Sequence, residues 1–190
     1  MTWDERFQAN DTPWQRPGLN PAFEVWFRDA ASVHGKQVLV PGCGTAPEPL
    51  ALARLGADVT GLDIAPTAIA RQKEAFAKAG LTAQWITAGI ADWRPALGVD
   101  AIYEQTCLCA IKPETRTGYE TFAFDSLKPG GVLYALFMQT TRPTGPPFHC
   151  ELAEMRALFP AGRWRWPATD PIRSDHPIGA YELGCLLERL

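Results

Sequence analysis

Short apolar and β-branched runs alternate with longer stretches of helical periodicity from Lys36 to Met138, the pattern of an α/β sheet with parallel strands. The runs predict strands over Gln37–Val40, Asp58–Asp63, Gln84–Ala88, Val99–Glu104 and Val132–Met138. The stretches between them predict helices over Glu48–Leu55, Pro66–Ala79 and Thr115–Leu127. The second of these opens with Pro66 and stops at Gly80, the usual asymmetry of helix ends. Lys128-Pro-Gly-Gly131 is expected to stop the third, because Pro129 cannot extend a helix and Gly130 tolerates a left-handed cap.

Past Met138 the pattern changes. A Pro- and Gly-rich stretch covers Thr140–Cys150, a short helix is predicted over Glu151–Phe159, and the Trp164/Trp166 segment with Gly179–Arg189 predicts a closing pair of strands. At the other end, Trp3, Phe7, Trp14, Phe23, Trp26 and Phe27 are too dense for a frayed tail and must cover something. A helix from Pro21 to about Val33 is expected to pack on the sheet, and Trp3 to Trp14 to act as a lid. With no repeat or long linker, residues 1–190 read as one domain: an aromatic cap (1–34), a core (35–138) and an acceptor-side loop with closing strands (139–190).

Composition narrows the function classes. With 190 residues and 46% hydrophobic content the chain suffices for one core without disulfides or a structural metal. A net charge of −3 offers no general attraction for nucleic acid or an anionic membrane. The start carries acids and aromatics where a secretory signal has a basic then apolar run, and no stretch is apolar enough for a membrane span, so a cytoplasmic protein and a monomer are expected. The cysteines at 43, 107, 109, 150 and 185 lack the paired spacing of a zinc site, and are expected to be free thiols with no metal.

The candidate chemistry begins where Val38-Leu-Val40 runs into Pro41-Gly-Cys-Gly-Thr45 and then a helix. That places a glycine turn at the carboxyl end of the first strand, where open α/β sheets bind ligands, and Gly42 and Gly44 permit close backbone approach. Nineteen residues past Gly44, Asp63 ends the second strand at the spacing of an acid that accepts ribose hydroxyls. A tight turn in which Asp63 only caps the next helix is the alternative. A pyrophosphate fingerprint wants a third glycine where this chain has Pro47, which disfavours a nicotinamide oxidoreductase and suits S-adenosylmethionine, a ligand without phosphate. Ile90 is then expected against adenine and Asp92 near its amino group, with a surface helix cap as the other reading of Asp92.

Taken together, Trp3-Asp-Glu-Arg-Phe7 with Thr12-Pro-Trp14, Val38–Ala46, Gly61-Leu-Asp63, Tyr103–Pro113, Arg116 with Tyr119, Lys128–Gly131 and Gly145-Pro-Pro-Phe148 resemble the class I S-adenosylmethionine-dependent methyltransferases. Within these the chain resembles the thiopurine S-methyltransferase family with its thiol and halide methyltransferase relatives. The resemblance implies a Rossmann-like sandwich with a mostly parallel seven-stranded sheet and an antiparallel C-terminal strand pair. It implies donor contacts from Trp3, Phe7, Thr12, Gly42, Asp63, Gly89, Ile90, Tyr103, Glu104 and Gln105, with Trp14 facing the acceptor and the N-terminal segment closing over the donor. At Gln105, thiopurine-type members carry arginine; Tyr-Glu-Gln-Thr-Cys-Leu-Cys-Ala-Ile111 is closer to the thiol and halide branch.

A sulfonium donor is already activated, so alignment and exclusion of water are the main tasks. Trp14 or Tyr103 is expected to stabilise its charge through an aromatic face. Trp14, Cys107, Leu108 and Phe148 are expected to form an apolar pocket suited to a soft acceptor: a thiol, a selenium or tellurium species, or a halide. The alternative is a module that binds S-adenosylmethionine or S-adenosylhomocysteine without turnover. Cys107 and Cys109 are read as small apolar lining, His149 and His176 as structural or acceptor-orienting, and Trp164 and Trp166 as cover for the sheet.

Overall fold

A computed structural model describes all 190 residues. Its centre is an eight-stranded sheet built from β1 (Gln37–Pro41), β2 (Asp58–Asp63), β3 (Gln84–Thr87), β4 (Val99–Glu104), β5 (Leu127–Gln139), β6 (Trp164–Arg165), β7 (Ile172–Asp175) and β8 (Tyr181–Arg189). The order is β3-β2-β1-β4-β5-β8-β6, with β7 also paired to β8. The first five strands are parallel and β8 runs antiparallel to β5, placing the three late strands at one edge.

Strand periodicity divides the core. Leu39, Ile102, Leu133, Ala135 and Phe137 point to one face, under α5 (Arg116–Ser126) and α6 (Leu152–Leu158). Val38, Val40, Val59, Ala101, Tyr103 and Leu136 point to the other, under α2 (Pro21–Trp26) and α3 (Glu48–Arg54), with Ile69 of α4 (Pro66–Ala79). The aromatics Phe23 and Phe27 fill this second face against Tyr103 and Tyr134. Trp164 covers the first face, its indole N–H donating to Glu120 at 2.7 Å.

Three expectations are corrected. The sheet has eight strands, not seven: β7 reads Ile-Arg-Ser-Asp between prolines, carries one apolar residue, and forms only because β8 offers it a template. The expected helix from Pro21 to Val33 ends at Trp26, and a separate 3₁₀ turn, Ala30–Ser32, starts where the Asp29 carboxylate accepts the Ala31 N–H at 2.9 Å. Lys128–Gly131 does not cap α5, which has already ended at Ser126. Leu127 pairs with Val99 and Val132 with Ala101, so the intervening residues form an irregularity within β5, where Gly130 takes φ +75°. The α4 boundaries are as expected, with Pro66 in its first turn and Gly80 left-handed at φ +67°.

Candidate functional site

The strand order reverses between β1 and β4, the position at which open α/β sheets leave a crevice beyond the carboxyl ends of their strands. A cavity of about 390 Å³ occupies it, within the size range of small-molecule sites. Its walls come from the loops after β1 (Gly42 to Glu48), β2 (Asp63, Ile64), β3 (Ala88 to Ile90) and β4 (Gln105 to Cys107). The N-terminal segment adds Trp3, Phe7, Trp14 and Arg16, and the late loops add Pro146, Pro147, His176 and Ile178.

The glycine turn is held from several sides. Gly42 and Gly44 take φ +57° and +48°, a region open to glycine and strained for other residues. A side chain on Gly42 would collide with Cys107, so the turn lies flush against the end of β4. Asp63 accepts the Gly44 N–H on Oδ2 and the Ala65 N–H on Oδ1, both at 2.8 Å. Gln72, reaching from α4, donates to the carbonyls of Gly44 at 3.2 Å and Ala46 at 2.9 Å. Asp63 thus braces two turns while lining the cavity, and each oxygen keeps a lone pair for a ligand hydroxyl. Burial raises its pKa, and the backbone N–H groups oppose that shift.

The N-terminal segment forms α1 (Trp3–Gln8), opened by a capping box between Thr2 and Glu5. Asp4 ties it to α4 by accepting the Thr67 N–H at 2.8 Å, and this bond lowers the carboxyl pKa. Phe7 is buried against Ala65 and Ala68, its ring beside Gly44. Trp14 meets Trp3 and Phe7 edge-on at 5.4 and 5.9 Å, with the Arg6 guanidinium over its ring at 5.7 Å. Trp14 therefore lies on the cavity wall with one of its faces already supplied with a cation.

Several expected residues lie elsewhere. Leu108 belongs to the buried core, because Leu108–Ala110 winds into a 3₁₀ turn that sends it inward while Cys107 and Cys109 reach the cavity. Phe148 packs under Gly145 and is fixed by its N–H to Cys109 O at 2.7 Å, leaving Pro146 and Pro147 as the wall. Glu104 is fully buried behind the site, accepting Tyr119 Oη–H at 2.7 Å and the Leu108 N–H at 2.9 Å; burial pushes its pKa to about 7. Thr12 turns to Gln15, and exposed Asp92 packs its carboxylate against Gly89, bracing the loop after β3 from outside. Tyr103 does line the cavity, but its ring is enclosed by Phe23, Trp26 and Phe27, so its face is not offered to a sulfonium, and its hydroxyl donates to Gln105 Oε1 at 2.7 Å. Gly89, Ile90 and Gln105 line the cavity.

The cysteines are free, and burial raises the thiol pKa of Cys107 and Cys109 well above the ordinary value. Both stay protonated at neutral pH and serve as small apolar lining. His149 is partly exposed, accepts the Thr140 N–H at 3.1 Å and lies off the cavity. Arg116 and Tyr119 do not bond each other: Arg116 holds the carbonyls of His149 and Phe148, and Tyr119 holds Glu104.

A buried polar network beside the cavity is not apparent from sequence spacing. Arg16 Nη2 donates to Glu182 Oε2 at 2.8 Å, and Asn20 Nδ2 donates to the same oxygen at 2.8 Å. Glu48 Oε1 accepts the Asn20 N–H at 2.9 Å. Desolvation raises both carboxyl pKa values. The one sequence signal is Glu182 itself, an acid inside the apolar run Tyr181–Leu187.

Comparison with known proteins agrees with this architecture. The family model for thiopurine S-methyltransferase (TPMT) matches residues 1–170. A probable thiol methyltransferase 2 from Arabidopsis thaliana is 31% identical over 164 residues, 84% of this chain and 72% of that protein. A thiopurine S-methyltransferase from Vibrio cholerae is 29% identical over 175 residues, 83% of this chain and 79% of that protein. Among solved structures, the 1,6-didemethyltoxoflavin-N1-methyltransferase of Burkholderia thailandensis, with bound 1,6-didemethyltoxoflavin and S-adenosylhomocysteine, superposes with a TM-score of 0.76 at 16% identity, covering 97% of this chain and 84% of that one.

Proposed function

The chain belongs to the thiopurine S-methyltransferase family and is an S-adenosylmethionine-dependent methyltransferase, and on that premise we propose that its acceptor is a small soft nucleophile: a thiol, a selenium or tellurium species, or a halide. The observation that carries this reading is the chemistry of the cavity wall. Trp14, Cys107, Cys109 and Met138 make part of it apolar. Of the titratable groups beside them, Asp63 is engaged by backbone N–H groups on both oxygens, and His176 is held at about 4 by burial and by the nearby Arg16 charge, so it is a weak base. Glu48 keeps one oxygen without a partner, and desolvation raises its pKa. A thiol, ionised to a few per cent at neutral pH, or a halide reacts without a base, whereas a hydroxyl acceptor would have to recruit Glu48.

Bound S-adenosylmethionine supplies a methyl group already activated by its sulfonium. Asp63 takes the ribose hydroxyls through its remaining lone pairs, Gly42 and Gly44 admit the donor close to the backbone, and Gly89 and Ile90 receive the adenine. Trp3, Phe7 and Trp14 exclude water, which favours in-line approach of the nucleophile. The relative named a probable thiol methyltransferase supports an acceptor of this kind. Labelled S-adenosylmethionine incubated with thiols, selenols, iodide and thiocyanate is expected to give methylated products. Tight donor binding without turnover on any of them would overturn the soft-acceptor reading.

A further inference from the structure

Glu48 is fully buried at the start of α3 yet lines the cavity, and only one of its carboxylate oxygens is bonded: Oε1 accepts the Asn20 N–H at 2.9 Å, while Oε2 has no partner. The Arg16 guanidinium in the same wall is already bonded to the buried Glu182. One buried cation thus faces two buried carboxylates, and burial raises the pKa of both acids against its pull. The groups around them add no charge: His176 is neutral near pH 7, Tyr103 keeps its phenolic proton, and Gln105 is an amide. A water shared by Oε2 with the unbonded Nε2–H of His176 and Nε–H of Arg16 would supply hydrogen bonds and no charge. The other arginines lining the cavity are committed elsewhere, Arg6 to Asp11 and Arg142 to solvent. An ionised Glu48 therefore leaves one negative charge uncompensated in a wall that excludes solvent, a costly arrangement unless a cation faces it.

The place of Glu48 in the fold narrows the cation. Asp63, Gly89 and Ile90, which take the nucleoside, follow β2 and β3, whereas Glu48 follows β1 and lies near Tyr103 of β4, on the other side of the crevice. The rest of the donor points that way. Its amino-acid end is a zwitterion whose two charges cancel, so the net positive charge of the donor is that of the sulfonium. We propose that Glu48 is the counter-charge of the sulfonium, acting across the cavity wall rather than by contact, and is the residue by which the protein distinguishes the charged donor from its neutral product. In the transfer the broken carbon–sulfur bond leaves its electron pair on the donor sulfur, now a thioether, while a pair from the nucleophile forms the new bond to the methyl carbon. Glu48 loses its partner at that moment, which favours release of S-adenosylhomocysteine. This holds for any acceptor, because the donor gives up its charge in every transfer.

The test is calorimetric binding of three ligands: S-adenosylmethionine, S-adenosylhomocysteine, and sinefungin, in which a carbon bearing an ammonium replaces the methylated sulfur. Glu48→Gln keeps an oxygen for the Asn20 N–H and removes only the charge. The variant is expected to bind S-adenosylmethionine and sinefungin roughly tenfold more weakly than wild type, or worse, the scale of one lost charge pair in a partly screened site, and to bind S-adenosylhomocysteine within about twofold of wild type. An equal loss for all three ligands would place Glu48 at the amino-acid end or in the fold alone, and unchanged affinities would mean that its charge is not felt; either result overturns the proposal. If Glu48→Gln does not fold, the carbon-13 shift of the Glu48 carboxyl in the wild-type protein reads the same field. Sinefungin is expected to move it further than S-adenosylhomocysteine does, and equal shifts overturn the proposal.

Discussion

Asp63 accepts the backbone N–H of Gly44 at 2.8 Å, so the acid expected to grip a ribose also holds the glycine turn in shape. Asp63→Ala should therefore weaken S-adenosylhomocysteine binding by about 1–3 kcal/mol and also lower the melting temperature, because two backbone N–H groups lose their acceptor. Calorimetry and thermal unfolding measure the two effects. A folded variant with wild-type affinity would remove Asp63 from the donor site.

Phe7 is 4% exposed and packs on Ala65, Ala68, the glycine turn and the Trp3 and Trp14 rings, apart from the main core. Phe7→Ala should release the first helix without melting the sheet. Donor affinity is expected to fall by an order of magnitude or more, with new protease cleavage confined to the first twenty residues and an almost unchanged global unfolding transition. Global destabilisation by about 3–5 kcal/mol, the cost of deleting a core phenylalanine, would show instead that the segment is integral to the fold.

Two buried groups give stability opposite pH dependences. Glu104 holds its proton more tightly folded, at about 7 against an ordinary 4.5, so its contribution is complete below about 4.5 and is lost as pH rises through about 7. His176 is depressed from 6.5 to about 4, so its contribution is present above 6.5 and is lost as pH falls through about 4. In denaturant titrations across this range, Glu104→Gln should flatten the decline on the alkaline side and His176→Gln the decline on the acid side. Profiles parallel to wild type would mean that neither group titrates differently on folding.

Arg16 and Glu182 form an ion pair with 8% and 0% side-chain exposure. Arg16→Met or Glu182→Met alone should cost about 3–5 kcal/mol, since each strands a buried charge, while the double replacement should cost less than the sum of the two. Chemical denaturation of all four proteins closes the cycle. Single costs below about 1 kcal/mol would place the pair with exposed surface bridges.

The parallel half of the fold is legible in the sequence because each element carries its own signal. Val38-Leu39-Val40 is a continuous apolar, largely β-branched run in β1, and Pro66 and Gly80 punctuate α4. β7 is not legible, since Arg173 and Asp175 have no strand signature and the pairing with β8 decides their conformation. Residues at strand ends, such as Gly44 and Asp63, could be assigned to the site by topology. Leu108 is expected in the acceptor pocket on its apolar character beside Cys107, and nothing in the local sequence announces the 3₁₀ turn Leu108–Ala110 that sends it into the core. Arg16, Glu48 and His176 converge only through tertiary packing, which no local spacing encodes.

The Arg16 to Glu182 bridge joins positions 166 residues apart. The first helix is moored separately, through Asp4 and Phe7 on α4, so the amino-terminal segment is clasped at two distant places; were the last hairpin to peel off the sheet, the first mooring would stay and the second would be lost.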